Sequence, residues 1–235
     1  IENFKALKGI VFEKNSPEEY ILDISEIVKK NDRIVFEARV WSKSNNKNHK
    51  LSHRVHYSCQ VQIQANIIEN KKIEAIDYSH KEEIIKGKDI YQNGTLFHGK
   101  SFQGIESVLS IENRKIVLEC IAPELEDIKK GQFLDTVFNP YIADTFLQGL
   151  VVWVRQFYKS ASLPLEFDRF TQFETILTGQ KYYVIVEITK DSKTKAIANI
   201  SACNSQGNIY ASFSGASVTI SPQLNHLFNQ GKRKR

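Results

Sequence analysis

The chain of 235 residues contains no methionine at any position, although translation of a natural polypeptide starts with this residue. Its first segment, "IENFKALKGI", already has apolar Phe4, Leu7 and Ile10 in place. We therefore expect the sequence to be a piece of a longer polypeptide. The composition is ordinary, with 41% hydrophobic and 25% charged residues, and it predicts a folded core in one large or two small domains.

Cysteines are few and lie far apart in the sequence. Cys59, Cys120 and Cys203 form no Cys-x-x-Cys pair, which argues against both a zinc site and a disulfide framework. Each lies in an apolar, strand-like context and is expected to be a small core residue. His53 and His56 are three residues apart on a predicted strand and point to opposite faces, which argues against a shared metal. No metal site is predicted.

Long apolar runs and basic stripes are also missing. No stretch reaches the length of a transmembrane helix, and the chain does not begin with a signal peptide. The net charge of +5 comes in part from the terminal "GKRKR", and no basic stripe elsewhere is interleaved with aromatic residues. We therefore expect a cytoplasmic location, no membrane span and no nucleic-acid partner.

Most of the sequence has the β-branched and aromatic runs of strands, but one long segment is helical in character. Asn139 can cap a helix and Pro140 suits the first helical position. Residues 141–158 are apolar nearly all round, which is typical of a buried helix. A strongly curved antiparallel sheet folded around this helix, an α+β arrangement, is the predicted fold. Smaller expectations are a connector at 71–94 with a short helix at 81–86, a loop with helical turns at 124–138, and a hairpin turn at Gly207-Asn208.

Two polar residues interrupt the apolar helix. Asp144 and Gln148 are four residues apart and therefore project from one face. Burial of a carboxylate is costly unless it is paired or hydrogen-bonded. Asp144 could lie in the first helical turn and interact with the helix dipole, or it could be a catalytic acid in a dry cleft. The helix alone favours the first interpretation.

Two motifs carry a resemblance to a known family. The segment "GTLFHGKSFQGI" resembles the G-Y-x-Y-G-P-x-F-Q-G motif of polyketide synthase and polyunsaturated fatty acid synthase dehydratase domains. The match consists of Gly99, Phe102, Gln103 and Gly104, while His98 replaces the family's second tyrosine. The segment "NPYIADTFLQGL" resembles the family's D-x-x-x-Q motif, which lies on the central helix of a hotdog fold.

The resemblance implies a dehydratase that eliminates water from a β-hydroxyacyl thioester on an acyl carrier protein. Such chemistry needs a base and a carboxylic acid kept protonated by a dry site. Asp144 is implied to be the acid and Gln148 to hold its carboxyl group. His98 could hydrogen-bond near the cleft in place of the tyrosine, or it could equally be an ordinary loop histidine. The implied substrate contacts are Phe97, Gly99, Phe102, Gln103 and Gly104.

The resemblance also implies how the chain is divided and what accompanies it. A double hotdog would place its N-terminal half in residues 1–75, a linker in 76–93, its C-terminal half in 94–222 and a basic tail in 223–235. The first half would lack its beginning, including the family's H-x-x-x-G-x-x-x-x-P motif, whose catalytic histidine is expected upstream of Ile1. The expected partners are an acyl carrier protein and other synthase domains, in a homodimer. No cofactor is expected beyond the carrier's phosphopantetheine.

Two other functions stay open. The chain could be a degenerate hotdog module that has a structural role or binds acyl thioesters without catalysis. A hotdog thioesterase would use similar thioesters but would hydrolyse them. The first alternative and the dehydratase differ in whether a histidine-bearing central helix precedes residue 1.

Overall fold

The computed structural model of the chain describes residues 1–10, 19–45, 51–65, 72–75, 84–124 and 138–225. Within them, the strands form one antiparallel sheet whose order is β2-β3-β4-β1-β8-β11-β10-β9-β7-β6-β5. The strands are β1 (Glu2–Ala6), β2 (Tyr20–Lys29), β3 (Arg33–Asn45), β4 (Leu51–Gln64), β5 (Ile85–Lys86), β6 (Ile105–Glu112), β7 (Lys115–Ile121), β8 (Ala161–Gln172), β9 (Lys181–Asp191), β10 (Lys195–Cys203) and β11 (Ile209–Ser221).

The helices α1 (Gly87–Gln92) and α2 (Pro140–Tyr158) accompany the sheet. The predicted helix at 141–158 is confirmed, because α2 adds only Pro140 at its start. The Asn139 side chain accepts hydrogen bonds from the N–H groups of Tyr141 at 3.0 Å and Ile142 at 3.3 Å. These bonds satisfy donors that a helix start leaves without partners, so local sequence fixes where α2 begins.

The core of the C-terminal part forms around α2. Strands β7 to β11 all contact this helix, and Phe146, Leu150 and Trp153 are buried in the main apolar cluster. Close approach requires a small residue at Gly149, where a Cβ atom would lie 2.9 Å from a Val186 methyl group. The predicted helix-in-sheet arrangement is therefore observed for this part of the chain.

The N-terminal strands β1 to β4 join the same sheet through one junction. Strand β1 pairs with β4 on one side and with β8 on the other, where Phe4 lies opposite Phe167. One face of β2 to β4 remains uncovered within the described residues. Leu22, Ile24 and Ile63 share this face by register and are 57%, 59% and 57% exposed. Large exposed side chains grouped on one face indicate a surface that is covered by something else.

Part of the segment predicted as a linker forms regular secondary structure. Strand β5 pairs with β6, and α1 follows at once with Ile90 in the core. The prediction of a short helix at 81–86 is wrong over its described part, because Ile85 and Lys86 are a strand and the helix begins at Gly87. A Cβ atom at Gly87 would collide with the Ile105 carbonyl oxygen. This close contact, which is invisible in sequence, positions the helix.

Other predicted features differ in detail or lie outside the described residues. The turn between β10 and β11 spans Asn204 to Asn208, longer than the predicted Gly207-Asn208 dipeptide. The Gly207 N–H donates to the Asn204 carbonyl at 3.1 Å, and Gly207 adopts a φ of 79°. Of the predicted loop at 124–138, only the two end residues are described, and of the basic tail only 223–225. The division into two hotdog halves stays a prediction.

Candidate active site

Asp144 is the fifth residue of α2 and lies beyond its first turn. The interpretation of Asp144 as a first-turn partner of the helix dipole is therefore wrong, since that effect fades within the first turn. Its side chain is 30% exposed among the described residues. The carboxyl group thus lies at the edge of the core, where a ligand can reach it, and is less dry than the apolar helix suggests.

Gln148 lies one turn further along α2 and is only 2% exposed. Its Nε2 donates to Asp144 Oδ2 at 2.8 Å and to the Phe102 carbonyl oxygen at 2.8 Å. Its Oε1 accepts from the Tyr91 hydroxyl at 2.8 Å. Both amide hydrogens and the amide oxygen therefore have partners, which is what a buried amide requires. The predicted contact between Gln148 and Asp144 is present in the structure.

His98 lies against the same carboxyl group. Its Nε2 is 3.3 Å from Asp144 Oδ2, and its side chain is 15% exposed. Burial lowers the pKa of His98, while the negative charge of Asp144 acts in the opposite direction. The net direction favours a neutral ring at pH 7. His98 is therefore part of the Asp144 cluster. This position agrees with the interpretation that His98 lies near the cleft in place of the family's tyrosine.

The loop that carries His98 is held in place by side-chain hydrogen bonds to its backbone carbonyls. A 3₁₀ turn at Lys100–Phe102 aims the Phe102 carbonyl at Gln148. Gln103 Nε2 donates to the His98 carbonyl at 2.9 Å, which ties the two ends of the loop together. A Cβ atom at Gly104 would lie 2.8 Å from Thr145 Oγ1. The absence of a side chain at Gly104 therefore lets the loop lie directly on α2.

Not every residue of the predicted site converges on Asp144. Phe97 stacks on the His98 ring with centroids 4.7 Å apart and is exposed. Gly99 has open space around it, so its match to the motif has no packing reason among the described residues. Gln103 bonds the loop rather than the carboxyl group. The substrate contacts predicted for these residues stay predictions.

Tyr91 is a member of the cluster that the sequence interpretation missed. It lies in α1, within the segment predicted as a linker. Its hydroxyl donates to Gln148 Oε1 and accepts from the Ile105 N–H at 3.1 Å. Burial raises its pKa well above the usual range, so the hydroxyl stays protonated. Tyr91 belongs to no motif of the sequence. A prediction of the helix at 87–92 could have indicated that Tyr91 lies on a face turned toward the core.

A cavity of about 950 Å³ lies elsewhere, at the junction of the N-terminal and C-terminal strands. Its lining includes Ile1, Arg33, Gln62, Phe138 and Arg169 but neither Asp144 nor His98. Within the described residues, no group of three or more His, Cys, Asp or Glu side chains could hold a metal ion. Among those residues, there is also no helix with the length and apolar character needed to cross a membrane.

A model of one protein family matches more than half of the chain. The family is described as the polyketide synthase dehydratase N-terminal domain, and the match covers residues 82–226. This range holds the Asp144 cluster and α1. It largely coincides with residues 94–222, which the sequence predicts to be the C-terminal hotdog half. The family description instead calls its matched segment an N-terminal domain.

One curated relative belongs to the polyunsaturated fatty acid synthase of Thraustochytrium sp. (strain ATCC 26185 / S-3), of which it is one subunit. It is 33% identical over 97 residues, which are 40% of this chain. The matched segment spans only 3% of that relative's length. The similarity therefore concerns a small part of a very large synthase polypeptide.

Solved dehydratase domains share the fold. A trans-AT polyketide synthase dehydratase domain from Brevibacillus brevis matches with a TM-score of 0.68 and 18% identity, over 94% of this chain and 75% of that one. The dehydratase domain of the CurK module of curacin polyketide synthase matches with a TM-score of 0.67 and 20% identity, over 94% and 74%. The predicted hotdog fold, with antiparallel strands around a central helix, is confirmed by these matches. Together with the family match at residues 82–226, they identify the chain as a member of the polyketide synthase dehydratase family.

Proposed function

We propose that this chain is the dehydratase region of a polyketide or fatty acid synthase and removes water from a β-hydroxyacyl thioester to give an enoyl thioester. The observation that carries the proposal is the position of Asp144. Its carboxyl group is reachable at the edge of the core, while buried Gln148 holds one of its oxygens at 2.8 Å. Membership of the dehydratase family supports the same reaction.

The two carboxyl oxygens of Asp144 have different roles in the proposed elimination. A base removes the α-proton, the α-carbon electron pair forms the new double bond, and the β-hydroxyl leaves with the electrons of the C–O bond. Asp144 protonates that oxygen, so water departs and a carboxylate remains. Oδ2 accepts from Gln148 and lies beside His98. Oδ1 has no hydrogen bond within the described residues, so it is the oxygen that presents the proton.

His98 supports the acid from the loop side. With the acidic hydrogen of Asp144 on Oδ1, Oδ2 can only accept, so the neutral ring carries its hydrogen on Nε2 and none on Nδ1. Burial favours this neutral form. We assign to His98 the role of a second donor to Asp144 Oδ2, in place of a tyrosine hydroxyl.

The base that removes the α-proton belongs to another segment in this proposal. The family resemblance assigns it to a histidine on the central helix of the first hotdog half. The uncovered apolar face at Leu22, Ile24 and Ile63 is what such a helix would pack against. The CurK dehydratase, a structural relative, has been solved as inactive mutants that replace a histidine by phenylalanine or an aspartate by asparagine. A paired histidine and aspartate are consistent with both of those mutants.

The substrate in this proposal is carried on the phosphopantetheine arm of an acyl carrier protein, and the elimination needs no other cofactor. Other synthase domains are the remaining partners, in a cytoplasmic homodimeric assembly that serves fatty acid or polyketide synthesis. The relative from Thraustochytrium is part of a polyunsaturated fatty acid synthase, which supports a fatty acyl rather than a strongly branched substrate.

The test is Asp144→Asn in the longest natural polypeptide that contains this chain. We expect loss of dehydration by a factor of about 10² or more, since a positioned acid contributes that much, with an unchanged melting temperature. Mass spectrometry of the carrier-bound acyl chain detects the loss of water. The matched control is Asp32→Asn on the exposed turn between β2 and β3.

Each outcome of this test separates the candidate functions. Full dehydration by the Asp144→Asn protein would refute the catalytic assignment. Release of free acid by the wild-type protein would indicate a thioesterase. A wild-type protein that binds the acyl carrier protein but never changes the acyl chain would indicate a non-catalytic module.

A further inference from the structure

Tyr91 bonds to Gln148 but has no hydrogen bond to Asp144 among the described residues. Its hydroxyl joins α1 to α2 by the 2.8 Å bond to Gln148 Oε1. The same oxygen accepts the Ile105 N–H at 3.1 Å. Ile105 and Gln148 are buried, and Tyr91 is partly buried.

The hydrogen directions in this chain of bonds follow from what each group can donate. The Ile105 N–H is only a donor, so the Tyr91 oxygen accepts there and its own hydrogen points to Gln148. Gln148 must therefore present its carbonyl oxygen to Tyr91 and its NH₂ group to the other side. On that side, the Phe102 carbonyl can only accept, which requires the same amide orientation. Both neighbours thus exclude the flipped amide.

We propose that Tyr91 is a positioning residue of the dehydration site, because it fixes the Gln148 amide so that its NH₂ group donates to Asp144 Oδ2 and leaves the acidic hydrogen on Oδ1. This inference rests on the proposed function of Asp144. A flipped amide would place its oxygen against Oδ2, and the carboxyl group would then turn its hydrogen toward Gln148. The acid would be present but aimed away from the leaving hydroxyl.

The role of Tyr91 is thus specific to protonation of the leaving group. Tyr91→Phe keeps the buried ring and removes only the hydroxyl. The Phe102 carbonyl still favours the correct amide orientation, so the loss is partial. We expect kcat for a β-hydroxyacyl substrate to fall about fivefold to tenfold, the effect of one neutral hydrogen bond, while KM stays within about twofold.

A substrate with a leaving group that needs no proton distinguishes positioning from a structural defect. A β-chloroacyl thioester loses chloride with the C–Cl electron pair, while the same base takes the α-proton. Asp144→Asn and Tyr91→Phe should both process it at about the wild-type rate after the uncatalysed rate is subtracted. The matched control is Tyr158→Phe, which removes a hydroxyl from the far end of α2 that bonds Asp191 and should leave both substrates unaffected.

Exchange of the Gln148 side-chain amide hydrogens gives a second readout without turnover. In ¹⁵N-labelled protein, both hydrogens should exchange more slowly in the wild type than in Tyr91→Phe, with Tyr158→Phe like the wild type. Equal exchange in all three would overturn the proposal. A parallel loss of rate on both substrates in Tyr91→Phe would also overturn it. Full dehydration of the β-hydroxyacyl substrate by Asp144→Asn would instead remove the proposed function on which the inference rests.

Discussion

Replacement of Gln148 by leucine tests the cluster through stability alone. The side chain is 2% exposed and makes three hydrogen bonds of 2.8 Å. Leucine fills a similar volume, but it leaves the Tyr91 hydroxyl hydrogen without an acceptor and the Phe102 carbonyl without its Gln148 donor. Each buried group left unpaired costs about 1–3 kcal/mol. The Asp144 oxygen is partly exposed, so water can replace its lost donor at little cost.

The expected loss is therefore about 3 kcal/mol, after the gain from the more apolar side chain offsets part of the penalty. For a chain of this size, such a loss lowers the melting temperature by about 6–12 °C. Urea denaturation monitored by tryptophan fluorescence gives the free energy of unfolding. Gln92→Leu, at an exposed position of α1, is the matched control and should change stability by less than about 0.5 kcal/mol.

A double-mutant cycle tests whether the loss of stability comes from the hydrogen bond between Tyr91 and Gln148. Tyr91→Phe and Gln148→Leu both remove the Tyr91–Gln148 bond, so their effects cannot add. The double mutant should be more stable than the sum of the single effects predicts, by about 1 kcal/mol. Additive effects within about 0.3 kcal/mol, or a Gln148→Leu protein as stable as the control, would refute the hydrogen-bond geometry around Gln148.

Three further predictions concern the same region. Gly104→Ala should destabilise the fold by about 1–2 kcal/mol, because the new methyl group meets Thr145 Oγ1 at 2.8 Å; Thr145→Ala in the same protein should recover part of the loss in urea denaturation. Because burial lowers the His98 pKa in the folded state, the folded state resists protonation of the ring. The stability of the wild type relative to His98→Gln should therefore be greatest above the unfolded pKa of about 6.5 and decline as pH falls below it; a pH-independent difference would contradict this. Purified residues 1–235 should not dehydrate a β-hydroxyacyl thioester by mass spectrometry, and robust turnover would show that the base lies within them.

The start of α2 is a feature that the local sequence alone predicts. Asn139 and Pro140 set its first turn by bonds that span two or three residues, so the helix could be predicted with an error of one residue. The same locality explains why Asp144 and Gln148 share a face. The helix predicted at 81–86 is wrong over its described residues because Gly87 is positioned by the backbone of β6, and no local pattern indicates that contact.

Short-range pattern is enough to predict the apolar helix, the strand-rich surroundings and the facing pair Asp144 and Gln148, because these depend on neighbours within a few residues. What holds the pair depends on long-range packing instead. The Phe102 carbonyl and the Tyr91 hydroxyl reach Gln148 from 46 and 57 residues away along the chain. A buried amide takes its orientation from every partner around it. Those partners meet only when the His98 loop and α1 have packed onto α2.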